Sequence, residues 1–346
     1  MSVRERSSRK QRAKLGVAVV GLGIGALHAR AFHADPRCRI ESLYDLDAQL
    51  AQRLAEEFGQ GTVAPDLSSI IANPDVDVVC VASYDDAHFD QVVQALRAGK
   101  HVFAEKPLCQ SLKQLQLIKQ AWQERHGSVK LACNLVLRTA PLYRWLKEKI
   151  NSGDFGKLYS LEGDYLYGRL HKITRGWRGR IKEYAAMYGG GIHLIDLFLW
   201  LTGERPTTVQ AVGNQICTAG TDFRHNDFVI AIMQFASGLI GHASANLGCV
   251  HRHQHVVRLY GTKATFIHDD VSSRLHWSWD PSVGASLLNP SSLPATKSDL
   301  IPEFITAIES DIDLEREIQS IFDSASVSIA CESALRTGKR KEIVYV

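Results

Sequence analysis

A chain of 346 residues, 45% hydrophobic and 22% charged, is long enough for two domains and has an ordinary globular composition, which excludes disordered and fibrous classes. No apolar run reaches the length of a membrane span, since the longest, 192–201, is broken by His193 and Asp196. Of the 40 Lys+Arg and 37 Asp+Glu, six basic residues and one acid lie in 1–14, leaving 34 against 36 in a near-neutral body with no electrostatic pull toward nucleic acid or membrane.

Segment 1–14 reads as a disordered basic tail without the apolar core of a signal peptide. Val17 to Val20 then form a short apolar run suited to a strand buried on both faces. Gly21, Leu22, Gly23, Ile24 and Gly25 follow, and a helix is expected from Ala26, with Leu27, Ala31 and Phe32 toward a sheet. This is a G-x-G-x-x-A turn: Gly21 permits the tight bend and Gly23 lets backbone N–H groups approach a pyrophosphate at the helix start. Asp45 closes the next apolar segment, where a carboxylate accepts from an adenosine ribose and repels a 2′-phosphate. The expected cofactor is therefore NAD rather than NADP.

Strands are expected at 39–44, 76–82, 101–104 and 129–133, alternating with helices at 48–58, 88–98 and 111–126. That alternation predicts an α/β Rossmann domain, a doubly wound parallel sheet over 15–135. After residue 135 the pattern changes: a helix at 141–150, a strand at 158–167, a Gly-rich turn and a helix at 192–201. Strand-like runs at 208–216, 228–235, 240–246, 255–260 and 264–267 are joined by hairpin signals, so 136–346 reads as α+β with a mainly antiparallel sheet. The stretch 271–298 reads as a long excursion, followed by helices at 302–310 and 317–337 and a strand at 342–346. Seven cysteines without a C-x-x-C pair read as reduced, buried thiols of a cytoplasmic protein.

Glu105-Lys106-Pro107 ends a parallel strand on the cofactor rim and is approached by Ala98-Gly99-Lys100-His101-Val102. Downstream stand Gly190-Gly191-Ile192-His193-Leu194-Ile195-Asp196 and a closing Thr337-Gly338-Lys339. With Gly21-x-Gly23 upstream, the chain resembles the glucose–fructose oxidoreductase/inositol dehydrogenase/MocA family over nearly its whole length, the basic tail and the long excursion excepted. The resemblance implies a Rossmann domain, an open antiparallel sheet that builds homodimers or homotetramers, and a carbohydrate-like substrate. It also implies that Lys106 and His193 face that substrate beside the nicotinamide. A neutral imidazole takes the hydroxyl proton while the ammonium stabilises the developing alkoxide. A non-catalytic NAD-sensing member and a glycosidase-type member with tightly held NAD are the competing readings.

Many relatives carry an aspartate four residues before this histidine; here that position is Gly189. Tyr188, Glu183 or Asp196 is expected to replace it, Asp196 from one helical turn beyond His193, the alternative being a capping acid. Ser83, His88, Glu105 and Asn134 are further expected cofactor contacts, with Asp85 and Asp86 as helix caps. Arg138, Tyr165, Tyr188 and Asp196 are expected to line the substrate cleft, with Tyr167 beside them. Between Arg169 and Lys182 lie six Lys/Arg and no acid, and Arg178, between Trp177 and Gly179, is the one expected to grip an anionic substrate. The other reading is a solvated loop. His251, His253 and His255 alternate as on one strand face, but no acidic or cysteine partner accompanies them, so no metal is expected.

Overall fold

The computed structural model describes residues 14–346 apart from Arg180 and Lys182, so the expectations for segment 1–13 and for those two side chains lie outside the described residues. The first half runs β1 (Leu15–Val20), α1 (Gly25–Ala34), β2 (Cys38–Tyr44), α2 (Ala48–Phe58), β3 (Thr62–Val63), α3 (Leu67–Ala72), β4 (Val78–Val81), α4 (His88–Arg97), β5 (His101–Ala104), α5 (Leu112–Gln123) and β6 (Leu131–Cys133). All strand pairs are parallel, in the order β3-β2-β1-β4-β5-β6. The order reverses between β1 and β4, which opens a crevice at the carboxyl ends of those strands. The ends of β2 and β5 deliver Asp45 and Glu105 to the same rim.

Local chemistry explains these elements. α2 begins where Asp47 accepts from the backbone N–H groups of Gln49 and Leu50, and it stops at Gly59 with φ 60°. β3 and α3 were not expected: two strand residues are too few to show an alternation. In α1 the sheet side is Gly25, His28, Ala29 and Phe32, whereas Leu27 is exposed, so a polar histidine takes the place expected for a leucine.

The second half runs α6 (Pro141–Asn151), β7 (Leu158–Leu166), α7 (Leu170–Thr174), α8 (Ile192–Thr202), β8 (Pro206–Asn214), β9 (Phe228–Phe235), β10 (Ile240–Asn246), β11 (Gln254–Gly261), β12 (Thr265–His268), β13 (Ser273–His276), β14 (Ser286–Leu288), α9 (Ile301–Glu309), α10 (Glu315–Thr337) and β15 (Lys341–Glu342). One mixed sheet has the order β14-β13-β12-β11-β7-β10-β9-β8-β15. It is antiparallel except where β7 lies parallel to β10, because β7 inserts between β10 and β11. The expected excursion forms β13 and β14 in part, and the closing strand is short, with Lys341 and Glu342 paired to β8 and Ile343 N donating to the Thr207 carbonyl.

α10 joins the halves. Its Ile318, Ile321, Phe322 and Ala325 pack into one face of the parallel sheet, while Val327, Ala330, Cys331 and Ala334 enter the core of the mixed sheet. α9 covers the opposite face of the parallel sheet, with Phe304 against Phe103. The cleft therefore lies between two halves clamped by shared helices.

Candidate active site

The glycine turn is shaped for a dinucleotide. Gly21 has φ +83°, and a Cβ there would collide with the Ser83 backbone. Gly23 faces open space, with nothing within 4 Å of where a Cβ would stand. The close helix–strand approach falls on Gly25, whose Cβ would lie 3.0 Å from Ala82 and 3.2 Å from Val19. Asp45 accepts from Leu22 N at 2.6 Å and from Asp47 N at 2.9 Å, so it holds the turn from the end of β2. Leu46 and Asp47 follow it, and neither offers a cation to a 2′-phosphate.

Glu105 sits at the centre of a buried network. Its Oε1 accepts from Asn134 Nδ2 at 2.7 Å and meets His28 Nε2 at 3.0 Å, while His28 Nδ1 lies 2.8 Å from Ser298 Oγ. Asn134 also donates to the Lys297 carbonyl. Burial alone would raise the Glu105 carboxyl, but the His28 bond, the Lys106 charge and the Asn134 bond outweigh it and hold it at about 2. Glu105 and Asn134 were expected to touch cofactor; these groups instead brace the base of Lys106. Asn134 Oδ1 is buried with no protein partner among the described residues. His28 and Ser298 were missed, since neither carries a motif.

Ser83 and His88 likewise turn inward. Ser83 Oγ donates to Gln91 Oε1, and the His88 ring lies between the carbonyls of Pro107 (2.7 Å) and Ser83 (3.2 Å). Asp85 is no helix cap: it is buried in the field of Lys106, His88 and Arg178, and burial pushes its carboxyl up.

Lys106 reaches across the cleft and donates from Nζ to the carbonyl of Gly189 at 3.0 Å. The expected Gly-rich turn is a π-helical turn, Met187–Gly191, continuous with α8. Its glycines are steric requirements: a Cβ at Gly189 would strike the Tyr184 hydroxyl, one at Gly190 the Tyr165 ring, and one at Gly191 the Met187 side chain. This packing sets His193 near-parallel to Tyr165 (6.3 Å between centroids, 28°) and edge-on to His255 (5.9 Å, 88°). Burial, then the charge on Lys106 and the His255 ring, push the His193 pKa down, so its imidazole is neutral at neutral pH.

Three expected substrate contacts are corrected. Asp196 and Arg138 form a buried bidentate ion pair, with Arg138 Nε 2.9 Å from Asp196 Oδ2, and Ser324 Oγ donates to the same carboxylate. Asp196 is thereby committed away from His193. Tyr188 donates to the Gln110 carbonyl on the side of Glu332 and Arg336. Tyr165 does face the site, beside Tyr167, His253 and His255. Arg178 lies near Tyr184, Tyr167, Asp85 and Tyr165, with its guanidinium 4.4 Å from the Trp177 ring centroid. Trp177 in turn stacks on Tyr84. His251 lies before β11, bonded to the Arg252 carbonyl, so the three alternating histidines do not share one strand. No helix among the described residues is long and apolar enough to cross a membrane. Cys217 is exposed and Cys249 half-buried, unlike the other five thiols.

This is the fold and turn of an NAD-binding Rossmann oxidoreductase. A family model described as an oxidoreductase family with NAD-binding Rossmann fold matches residues 15–132, and the corresponding C-terminal domain model matches residues 143–267. The chain belongs to this family, GFO/IDH/MocA. It is 29% identical to an inositol 2-dehydrogenase of Acidothermus cellulolyticus over 65% of this chain and 64% of that one. It is 30% identical to a 2,7-anhydro-N-acetylneuraminate hydratase of Mediterraneibacter gnavus over 72% of this chain and 66% of that one. The chain thus spans just under two thirds of those relatives, and about half of an uncharacterized oxidoreductase of Synechocystis (52%). A levoglucosan dehydrogenase in complex with NADH shares the fold, with TM-score 0.84 at 20% identity, over 96% of this chain and 100% of that one.

Proposed function

We propose that the protein transfers a hydride between NAD and a secondary hydroxyl or keto group of a carbohydrate-like compound, with Lys106 and His193 as its catalytic residues. The carrying observation is the Lys106–Gly189 bond, which brings the ammonium and the His193 imidazole to the same wall of the crevice. The relatives named as inositol and levoglucosan dehydrogenases support a polyhydroxylated substrate. In this reading 15–135 holds the cofactor through the glycine turn and Asp45, and 136–346 supplies the substrate cleft.

Bound NAD supplies the hydride acceptor. His193, neutral through burial, takes the hydroxyl proton, and in the reverse direction returns it to the carbonyl oxygen. Lys106 donates to that oxygen and stabilises its developing negative charge in a site screened from water. Tyr165 packs beside His193 and fixes its plane.

The substrate class extends to anionic compounds. Lys297 lies in the field of Arg169, Lys172 and Lys106, opposed by Glu105, and Arg178 flanks the tyrosines beside Asp85. Self-repulsion of this kind favours a sugar acid, sugar phosphate or nucleotide-sugar. The outer face of the mixed sheet exposes Val212 and Ile232 (63% and 48%) on β8 and β9, a surface fit for a homodimer or homotetramer. The test is NAD reduction, followed by absorbance, across neutral sugars, cyclitols, sugar acids, sugar phosphates and nucleotide-sugars. Reduction by at least one class is expected, fastest with an acidic member. NADH binding without turnover of any of them would leave a dinucleotide-binding regulator, and glycoside cleavage without net NADH a closed redox cycle.

A further inference from the structure

We infer that His255 is a positioning residue: it accepts the Nδ1–H of His193 and so presents the His193 Nε2 lone pair to the cleft. The inference rests on the base role proposed above and supplies what that role requires. A neutral imidazole carries one proton, and it is a base only at the nitrogen that lacks it. The other nitrogen, if buried, must find an acceptor or incur a desolvation cost of about 1–3 kcal/mol.

His193 Nδ1 is buried and has no protein partner among the described residues. Two of the charged groups around it are committed elsewhere. Asp196 is held by Arg138 and Ser324, and Lys106 is a donor already bonded to Gly189. The Tyr184 hydroxyl fills the space beside Gly189, and the Tyr165 ring lies near-parallel and offset, 6.3 Å between centroids. His255 alone among these neighbours meets His193 at right angles, 5.9 Å between centroids, and its own Nδ1 and Nε2 are both buried and unpartnered. Two of these three orphaned nitrogens, one on each ring, are satisfied together when one ring turns toward the other or one water bridges them.

The surroundings keep His255 an acceptor. It stands on β11 opposite Tyr165 of β7 and 7% exposed, and burial, then His253 and His268, push its pKa down to about 3. Its ring is therefore neutral and holds a free lone pair through the neutral range. Facing His193 are Lys106 and Glu105 just after β5, His255 from β11 and His253 just before it; Lys106 disfavours a second positive charge there and Glu105 works against that effect.

The decisive experiment is heteronuclear NMR of the NADH-loaded protein with isotope-labelled histidine, which reads the tautomer of His193 directly and needs no substrate. Wild type should show the Nδ1–H form. His255→Phe, which keeps an aromatic ring and removes both nitrogens, should lose that preference, and His255→Gln, which restores an acceptor oxygen, should recover it. NADH affinity should stay within about 2-fold in all three. An Nε2–H tautomer in wild type, or an Nδ1–H form that persists in His255→Phe, would overturn the inference. If His255→Phe loses NADH binding, the wild-type and His255→Gln spectra decide. An Nδ1–H wild type that turns over no member of the panel would refute the catalytic reading and leave the pairing intact.

Discussion

The Lys106 ammonium donates to the backbone carbonyl of Gly189 at 3.0 Å, four residues before His193. Lys106 lies two residues beyond β5 of the parallel sheet, and Gly189 lies in the π-helical turn that starts the helix of the other half. One hydrogen bond thus ties the two halves at the point where proposed base and proposed electrophile meet. Because the acceptor is a backbone oxygen, the contact survives the absence of an acidic side chain at position 189.

Cofactor choice follows from Asp45. Its carboxylate holds the glycine turn through Leu22 N, and Leu46 and Asp47 beside it carry no positive charge. NAD(H) should bind at least ~10-fold more tightly than NADP(H), about 1.4 kcal/mol, by calorimetry. Equal dissociation constants would contradict this.

The buried histidines should make stability fall as pH drops from neutrality. His255 is held at about 3 and His101 at about 4, both chiefly by burial, below an ordinary imidazole near ~6.5. Depressed folded-state values mean that their contribution is complete above ~6.5 and is lost as pH falls toward the folded values, by about 2 kcal/mol each at pH ~5. Glu105, held at about 2, loses its contribution only below the ordinary carboxylate range and is silent in this window. Urea unfolding of a Glu332→Gln variant at pH ~7 and ~5 measures the difference, because in the wild type the Glu332 carboxyl, pushed up to about 7 by burial, works in the opposite direction. Equal unfolding free energies would show that these rings are not buried as described.

Most of the parallel half of the fold was legible because strands such as β1 and β4 are continuous apolar runs and helices such as α2 have their own stop, here Gly59, whereas β3 and α3 were too short to show a pattern. The parallel β7–β10 pair was not, since local hairpin signals say nothing about a strand inserted from earlier in the chain. The site divides in the same way. Lys106 and His193 stand in recognisable motifs, whereas His28, Ser298 and Asp85 reach the site only through tertiary packing. Asp196 was misread because helical spacing places it near His193 but cannot show Arg138 arriving from another element.

That pair sets a stability prediction. Asp196 is 1% exposed, and its loss leaves the Arg138 guanidinium buried without its counter-charge. Asp196→Ala should cost about 3–5 kcal/mol in chemical unfolding, with NADH affinity little changed in the folded fraction. A loss under about 1 kcal/mol would mean that solvent reaches the arginine.

The cation-rich cleft sets a substrate prediction. Arg178 lies among Tyr165, Tyr167, Tyr184 and Asp85, where its guanidinium can grip a carboxylate or phosphate. Arg178→Ala should raise KM for an acidic substrate ~10-fold or more, the loss of one charged hydrogen-bonded contact, and leave a neutral analogue unaffected. An unchanged KM for the acidic substrate would make the loop a solvated surface.

The central claim is that Lys106 and His193 perform the proton chemistry of an NAD-dependent oxidation, and the most direct measurement is kcat for Lys106→Met and His193→Ala beside NADH affinity by fluorescence. Each variant should lose at least ~100-fold in kcat, with the His193→Ala dissociation constant for NADH close to wild type. Near-normal turnover in either variant would place the chemistry on other residues and contradict the account.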